Sequence, residues 1–284
     1  MQREIKELLS DVEKNGFAIG ASIPIDGATA ALFDNLKPVH PAQSLLHYMS
    51  VRRFESLITH KALYLRCLDL FQDQFEGKLP AANDSTISDF AAQFREQFSM
   101  AQRDIEAWKH FITVTLRKLT YVHCWFGSET EDLSMWRDYG DSGKGVCIRT
   151  TAKRLSHALT CPTHLGLELR RIAYTDEKEA IPEIVASLPV GRKQARPEFI
   201  REREVRLIAT VTEEAWARGF NTPDGEPPDH QLIPVNLTAL FDTVYLGQQA
   251  SQEDNEKVEC LANLATGRQV TSPSTILPSA RTQT

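Results

Sequence analysis

The chain has 284 residues, with 32 Lys and Arg against 38 Asp and Glu and a formal net charge of −6. That acidic balance argues against sequence-blind coating of nucleic acid, which needs a basic surface, and no apolar run reaches the ~18 residues of a membrane-spanning helix. Five cysteines without a C-x-x-C pair suit reduced thiols rather than a disulfide frame or a structural zinc site, so a cytoplasmic globular protein is expected.

Ile5, Leu8, Leu9 and Val12 recur at helical spacing ahead of Asn15-Gly16, a helix stop. Residues 1–40 therefore read as an N-terminal helical extension and linker, 41–278 as the main domain, and 279–284 as a flexible tail. The domain opens with a short strand over residues 44–49. Ser50 can cap a helix over residues 51–60, whose inner face carries Phe54, Leu57 and Ile58. A second strand is predicted over residues 62–67 and a long helical stretch over 87–119. Residues 121–126 are rich in aromatics and Val, as a strand requires. A short helix at 133–139 and a turn at 141–145 lead into a strand at 146–149. Further strands are predicted at 170–174, 204–212 and 241–246. Strands and helices do not alternate regularly, and neither G-x-G-x-x-G nor a P-loop is present. The expected fold is a single α+β domain with a mixed, largely antiparallel sheet flanked by helices.

Four constellations can carry chemistry. On a strand, Glu202, Glu204 and Arg206 share one face and Val205, Leu207 and Ala209 the other. The two carboxylates would then stand ~7 Å apart from Cα to Cα. Such a set can bind sugar hydroxyls, stabilise a positive transition state or hold a metal, or it can be a solvated, self-compensating face. His47 and Tyr48 point to opposite faces of their strand. Asp73 and Glu76 make a turn-like acidic segment after the second strand. His123 and Trp125 share a strand face, and Trp136 and Tyr139 a helix face, as core or as a wall on which a ring can stack. A basic cluster of Arg192, Lys193, Arg196, Arg201 and Arg203 precedes the E-x-E segment and could meet phosphates.

Taken in order, Leu46-His47-Tyr48-Met49-Ser50, Phe71-Gln72-Asp73-Gln74-Phe75-Glu76-Gly77, His123-Cys124-Trp125-Phe126, Met135-Trp136-Arg137-Asp138-Tyr139, Gly145-Val146-Cys147-Ile148, Arg196 with Phe199, and Glu202-x-Glu204-x-Arg206 resemble a bacterial family known as domain of unknown function 2971. The resemblance spans roughly residues 44–277. Gln74, Asp132 and Ala195 depart from that family's usual residues. A second resemblance, to ADP-ribosyltransferases of the DNA-modifying toxin type, rests on the opening strand with His47, the helix after it and a late strand carrying Glu. It implies an NAD-dependent ADP-ribosyltransferase with an ADP-ribosyltransferase-like split sheet, acting on a nucleic-acid or protein acceptor as a toxin or anti-phage effector. It assigns the ribose to His47, catalysis to Glu204 with Glu202 orienting the acceptor, and the stacking ring to Tyr48, Trp125 or Tyr139. Ser50, Arg196 and Arg206 would lie beside the NAD, with Asp73, Glu76 and Trp136 in support. No metal is expected, and no membrane partner. The alternatives are a non-catalytic nucleotide- or partner-binding module and a metal-dependent nuclease built on Asp73, Glu76, Glu202 and Glu204.

Overall fold

Strand β1 (Ser44–Met49) is buried on both faces, and the residue after it starts a helix. Ser50 sits in extended backbone, and its hydroxyl accepts from the Arg53 amide, opening α1 (Val51–His60). Phe54, Leu57 and Ile58 are the buried side of that helix, and Lys61 ends it in the left-handed conformation. These assignments come from a computed structural model that describes residues 39–71, 73, 114, 116–175, 192–212, 214–215 and 227–276. The predicted N-terminal helix, Glu76 and most of the predicted helical stretch over 87–119 lie outside those residues.

Strands β2 (Ala62–Cys67) and β3 (Thr120–Phe126) come next. Asp132 then caps α2 (Leu133–Asp138), its Oδ1 accepting from the amides of Ser134 at 2.7 Å and Met135 at 3.2 Å. A turn with positive φ at Asp141, Ser142 and Gly143 leads into β4 (Val146–Thr151). Gly145 is required there, because a Cβ would stand 2.1 Å from the Met49 carbonyl oxygen. After β4 come α3 (Ala152–Ala158), β5 (Leu165–Arg171), β6 (Ala173–Thr175), β7 (Arg192–Gln194), α4 (Pro197–Ile200) and β8 (Glu204–Val211). The chain continues through β9 (His230–Pro234), α5 (Leu237–Leu240), β10 (Thr243–Leu246), α6 (Gln252–Thr266) and β11 (Thr271–Pro273).

The fold is α+β, with a mixed, largely antiparallel sheet. Its path runs β11-β10-β4-β1-β3-β2-β9, and β8 and β5 branch from β3. Strand β3 is the trunk. One edge pairs with β8 over its whole length, from Thr120↔Thr210 to Phe126↔Glu204. The other edge is shared: β1 meets it at Leu46↔Phe126, and β2 at Arg66↔Val122 and Cys67↔Tyr121. Between those anchors β1 and β2 part, so the sheet forks beside His123, Cys124 and Trp125. Strands β6 and β7 form a separate parallel ribbon. The single strand predicted over 170–174 is therefore two, broken at the buried Ile172.

Alternation along β3 and β8 divides the interior. On one face Leu45, Leu65, Tyr121, Trp125 and Leu207 pack with Phe54 of α1, Leu155 of α3, Leu240 of α5 and Val258 of α6. Each such large apolar side chain contributes about 1.5–3 kcal/mol by leaving water. On the opposite face Leu46, Tyr48 and Phe126 pack with Met135 and Trp136 of α2. The carboxylate of Glu131 accepts from the Trp136 indole at 2.9 Å, from Ser274 Oγ at 2.6 Å, and from the amide and hydroxyl of Thr275 at 2.9 Å. It thereby ties the segment after β11 to α2. Helix α6 is absent from the predicted elements, although Val258, Leu261, Ala262 and Ala265 stand at helical spacing and pack on the core.

Candidate functional site

The E-x-E segment does not form one strand. Glu202 closes the turn after α4, its amide donating to the Phe199 carbonyl at 2.9 Å, and Arg203 takes φ 39°. Strand β8 begins only at Glu204. The left-handed residue breaks the alternation that the sequence predicts, yet the two carboxylates still converge, because a cation lies between them. Lys193 Nζ of β7 is 2.7 Å from Glu202 Oε2 and 3.3 Å from Glu204 Oε2. The small β6–β7 ribbon serves this site at two points. It delivers Lys193, and it places the Tyr174 hydroxyl to accept from the Glu204 amide at 2.9 Å.

Glu204 and Arg206 point to the same face of β8, with 5% and 0% of their side-chain surface exposed. Arg206 grips the carboxylate at two points, Nε to Oε1 at 2.7 Å and Nη2 to Oε2 at 3.2 Å. Burial pushes the Glu204 carboxyl up. The Arg206 and Lys193 charges, together with hydrogen bonds from Arg206 and Cys124, outweigh burial and hold it at about 2. The Cys124 thiol is pushed well up by burial and by the Glu204 charge, so it stays protonated and unreactive. Above this pair the surface opens. The Glu202 side chain is 12% exposed, and Tyr139, at the end of α2, donates its hydroxyl to Glu202 Oε1 at 2.7 Å. Tyr139 is itself 46% exposed. Burial, then the bond to Glu202, raises its phenol above the ordinary value. Phe199 lies under Lys193, 4.5 Å from ammonium to ring centroid, and Arg196 stands 5.8 Å from the same ring.

The structure brings Glu202, Glu204, Arg206 and Tyr139 together, and Arg196 lies exposed at their border through Phe199. His47 does not join them. Strand alternation sends Leu46 and Tyr48 to the Glu204 face and His47 to the other, as the sequence predicts for the pair, so no ligand lying on one face reaches both His47 and Glu204. Trp125 shares the His47 side and is 2% exposed, which removes it as a stacking surface. Tyr48 is on the Glu204 face but buried, its hydroxyl accepting from the Asp132 amide and its ring edge-on to Trp136. Trp136 is buried and bonded to Glu131. Ser50 is occupied as the helix cap. Asp73 is half-buried. Of the four carboxylates a nuclease would need, Glu202 and Glu204 already have cations at 2.7 Å. Among the described residues no three His, Cys, Asp or Glu side chains are grouped to hold a metal ion.

His47 and His123 have a different occupation. His47 Nδ1 is 2.9 Å from the Cys124 carbonyl oxygen, and His123 Nδ1 is 3.0 Å from that of Tyr64. A carbonyl only accepts, so both rings carry their proton on Nδ1. These bonds cross the fork, where side chains replace the missing strand ladder.

Lys193 is visible in the sequence only as one member of a basic cluster. Phe199 stands with Arg196 among the residues that carry the family resemblance, whereas Tyr174 carries no signal there, since its role depends on a ribbon formed by distant pairing. No protein-family profile, no curated protein and no solved structure matches the chain. Among the described residues no helix is long and apolar enough to cross a membrane.

Proposed function

We propose that the surface around Lys193 and Tyr139 takes an anionic, ribose-bearing nucleotide, NAD in the first instance. On this reading the chain transfers ADP-ribose to a macromolecular acceptor, in the manner of a toxin or anti-phage effector. Glu202, not Glu204, is the carboxylate that faces the sugar. One observation carries this exchange of roles: the outer carboxylate is reachable and shares its oxygens with an exposed tyrosine and a lysine, whereas the inner one is buried and gripped by Arg206.

Departure of nicotinamide leaves positive charge on the ribose, which an adjacent carboxylate stabilises. A diphosphate draws Lys193 away from Glu202, supported by Arg196, and frees that carboxylate for the sugar. The half-exposed Tyr139 ring offers a stacking surface. Glu204 acts as a positioning residue that fixes Arg206 and Lys193. Glu202→Gln is expected to lower nicotinamide release by roughly 10²–10³ while leaving thermal stability nearly unchanged, as for other groups that stabilise transition-state charge. Nicotinamide release unaltered in that variant sinks the reading.

The second reading, a non-catalytic nucleotide-binding module, is favoured by the cations already seated against Glu202 and Glu204. Calorimetric titration with NAD separates the two. Heat of binding with no nicotinamide formed over hours supports the module.

A further inference from the structure

The fork in the sheet is closed by two histidines, and this closure is independent of what the opposite face binds. We propose that His47 and His123 form an acid-sensitive clasp that holds the β1 arm of the sheet against the β2 arm, and that protonating the pair opens the fork.

Strand β1 brings β4, β10 and β11 with it, and β2 brings β9, so each arm is a unit joined to β3 at its own anchor. Between the anchors His47 of β1 bonds the Cys124 carbonyl of β3, and His123 of β3 bonds the Tyr64 carbonyl of β2. The two ring centroids are 4.2 Å apart, and Trp125 stands 5.3 Å from one and 5.4 Å from the other. With Nδ1 committed to a carbonyl, an added proton must go to Nε2. In His123 that atom is buried and has no hydrogen-bond partner. A charge there is unsolvated, and a second charge on His47 would face it at ring-contact distance.

The groups facing the pair do not relieve this. Helix α1 contributes Arg53, whose charge opposes protonation of both rings. Strand β2 contributes a carbonyl, and β3 contributes a carbonyl and the Trp125 ring. Among the described residues no carboxylate acts on either imidazole. Burial first, then His123 and Arg53, hold His47 well below its ordinary value, while burial and Arg53 bring His123 down to about 4. A proton is therefore accepted only when the arms separate and water reaches Nε2.

Hydrogen exchange followed by mass spectrometry on the full chain, corrected for intrinsic rate between pH 7.5 and 4.5, tests the clasp. Protection at the anchors that join the arms to β3, Leu46 with Phe126 and Arg66 and Cys67 with Val122 and Tyr121, should fall by up to about a hundred-fold for each pH unit below 6.5, as uptake of two protons on opening requires. Protection within α6 should hold over the same range. Trp125 emission should be quenched in parallel, and Trp125→Phe should remove that signal. The change should vanish in His47→Gln/His123→Gln, in which neither amide titrates. Loss of protection spread evenly over the chain overturns the proposal, as does persistence of the local change in the double variant. Should that variant not fold, imidazole resonances of the wild type decide. Titration of both rings near 6.5 without loss of protection overturns the clasp, and rings that stay neutral until the fork exchanges support it.

Discussion

The two faces of strand β3 solve the same problem in opposite ways. Each holds polar groups away from water. On the β8 side Glu204 and Arg206 remain charged and satisfy each other. At the fork His47 and His123 remain neutral and satisfy backbone carbonyls. A charged pair is intolerant of losing one member, whereas a neutral pair is intolerant of gaining a proton. The difference teaches where each will fail: the first to substitution, the second to acid.

The largest expected effect breaks the ionic side. Arg206→Met leaves Glu204 buried without its main partner and should cost about 3–5 kcal/mol in denaturant unfolding. Glu204→Gln combined with Arg206→Met should cost less than Arg206→Met alone, which a double-mutant cycle reads directly. An additive cycle would mean that the two residues do not act as a unit.

Acid separates the faces by pH window. For His123 the folded value is about 4 against 6.5 unfolded, so its contribution is complete above pH 6.5 and is lost as pH falls toward 4. That difference amounts to about 3 kcal/mol. Glu204 lies at about 2 against 4.5, so its contribution is present above pH 4.5 and is lost only between there and pH 2. Unfolding free energy measured against pH should therefore decline in two stages; His123→Gln should make the upper one shallower, and His47→Gln/His123→Gln should flatten it, with the lower stage kept in both. A third effect sharpens the contrast with ordinary local structure. Ser251 accepts from the Asp254 amide at 3.1 Å to start α6, and Ser251→Ala should cost about 1 kcal/mol at any pH in either window. Smallest is the exposed Arg201–Asp138 pair at 2.6 Å, where Arg201→Ala should cost under about 1 kcal/mol and less in high salt.

Much of this is legible in the residues. Ser50 as a cap, the apolar side of α1 and the strands around residues 44–49, 62–67 and 120–126 arise from local patterns. So does the division of His47 from Tyr48. Helix α6 is legible too, through Val258, Leu261, Ala262 and Ala265 at helical spacing, although it is missing from the predicted elements. Its ends carry the stronger signal: the Ser251 cap, Glu253 and Asp254 in the first turn, and Gly267 at φ 69°. The site is half legible. Glu202, Glu204, Arg206 and Tyr139 stand out in the sequence, but pairing His47 with Glu204 requires knowing which face each strand presents in a shared sheet. Alternation within one strand does not supply that. The break at Arg203 is equally hidden, since a positive φ at an arginine has no local sequence mark.

The Glu131 carboxylate that ties Ser274 and Thr275 to α2 spans 143 residues of chain. Helix α2 has six residues, too few to hold its shape unaided. During synthesis on the ribosome its last anchor therefore does not exist until residue 275 has emerged. Tyr139, which ends that helix, in turn finds its partner Glu202 only 63 residues further along the chain. The order of translation thus delays completion of the site, and a nascent chain carries an unfinished one.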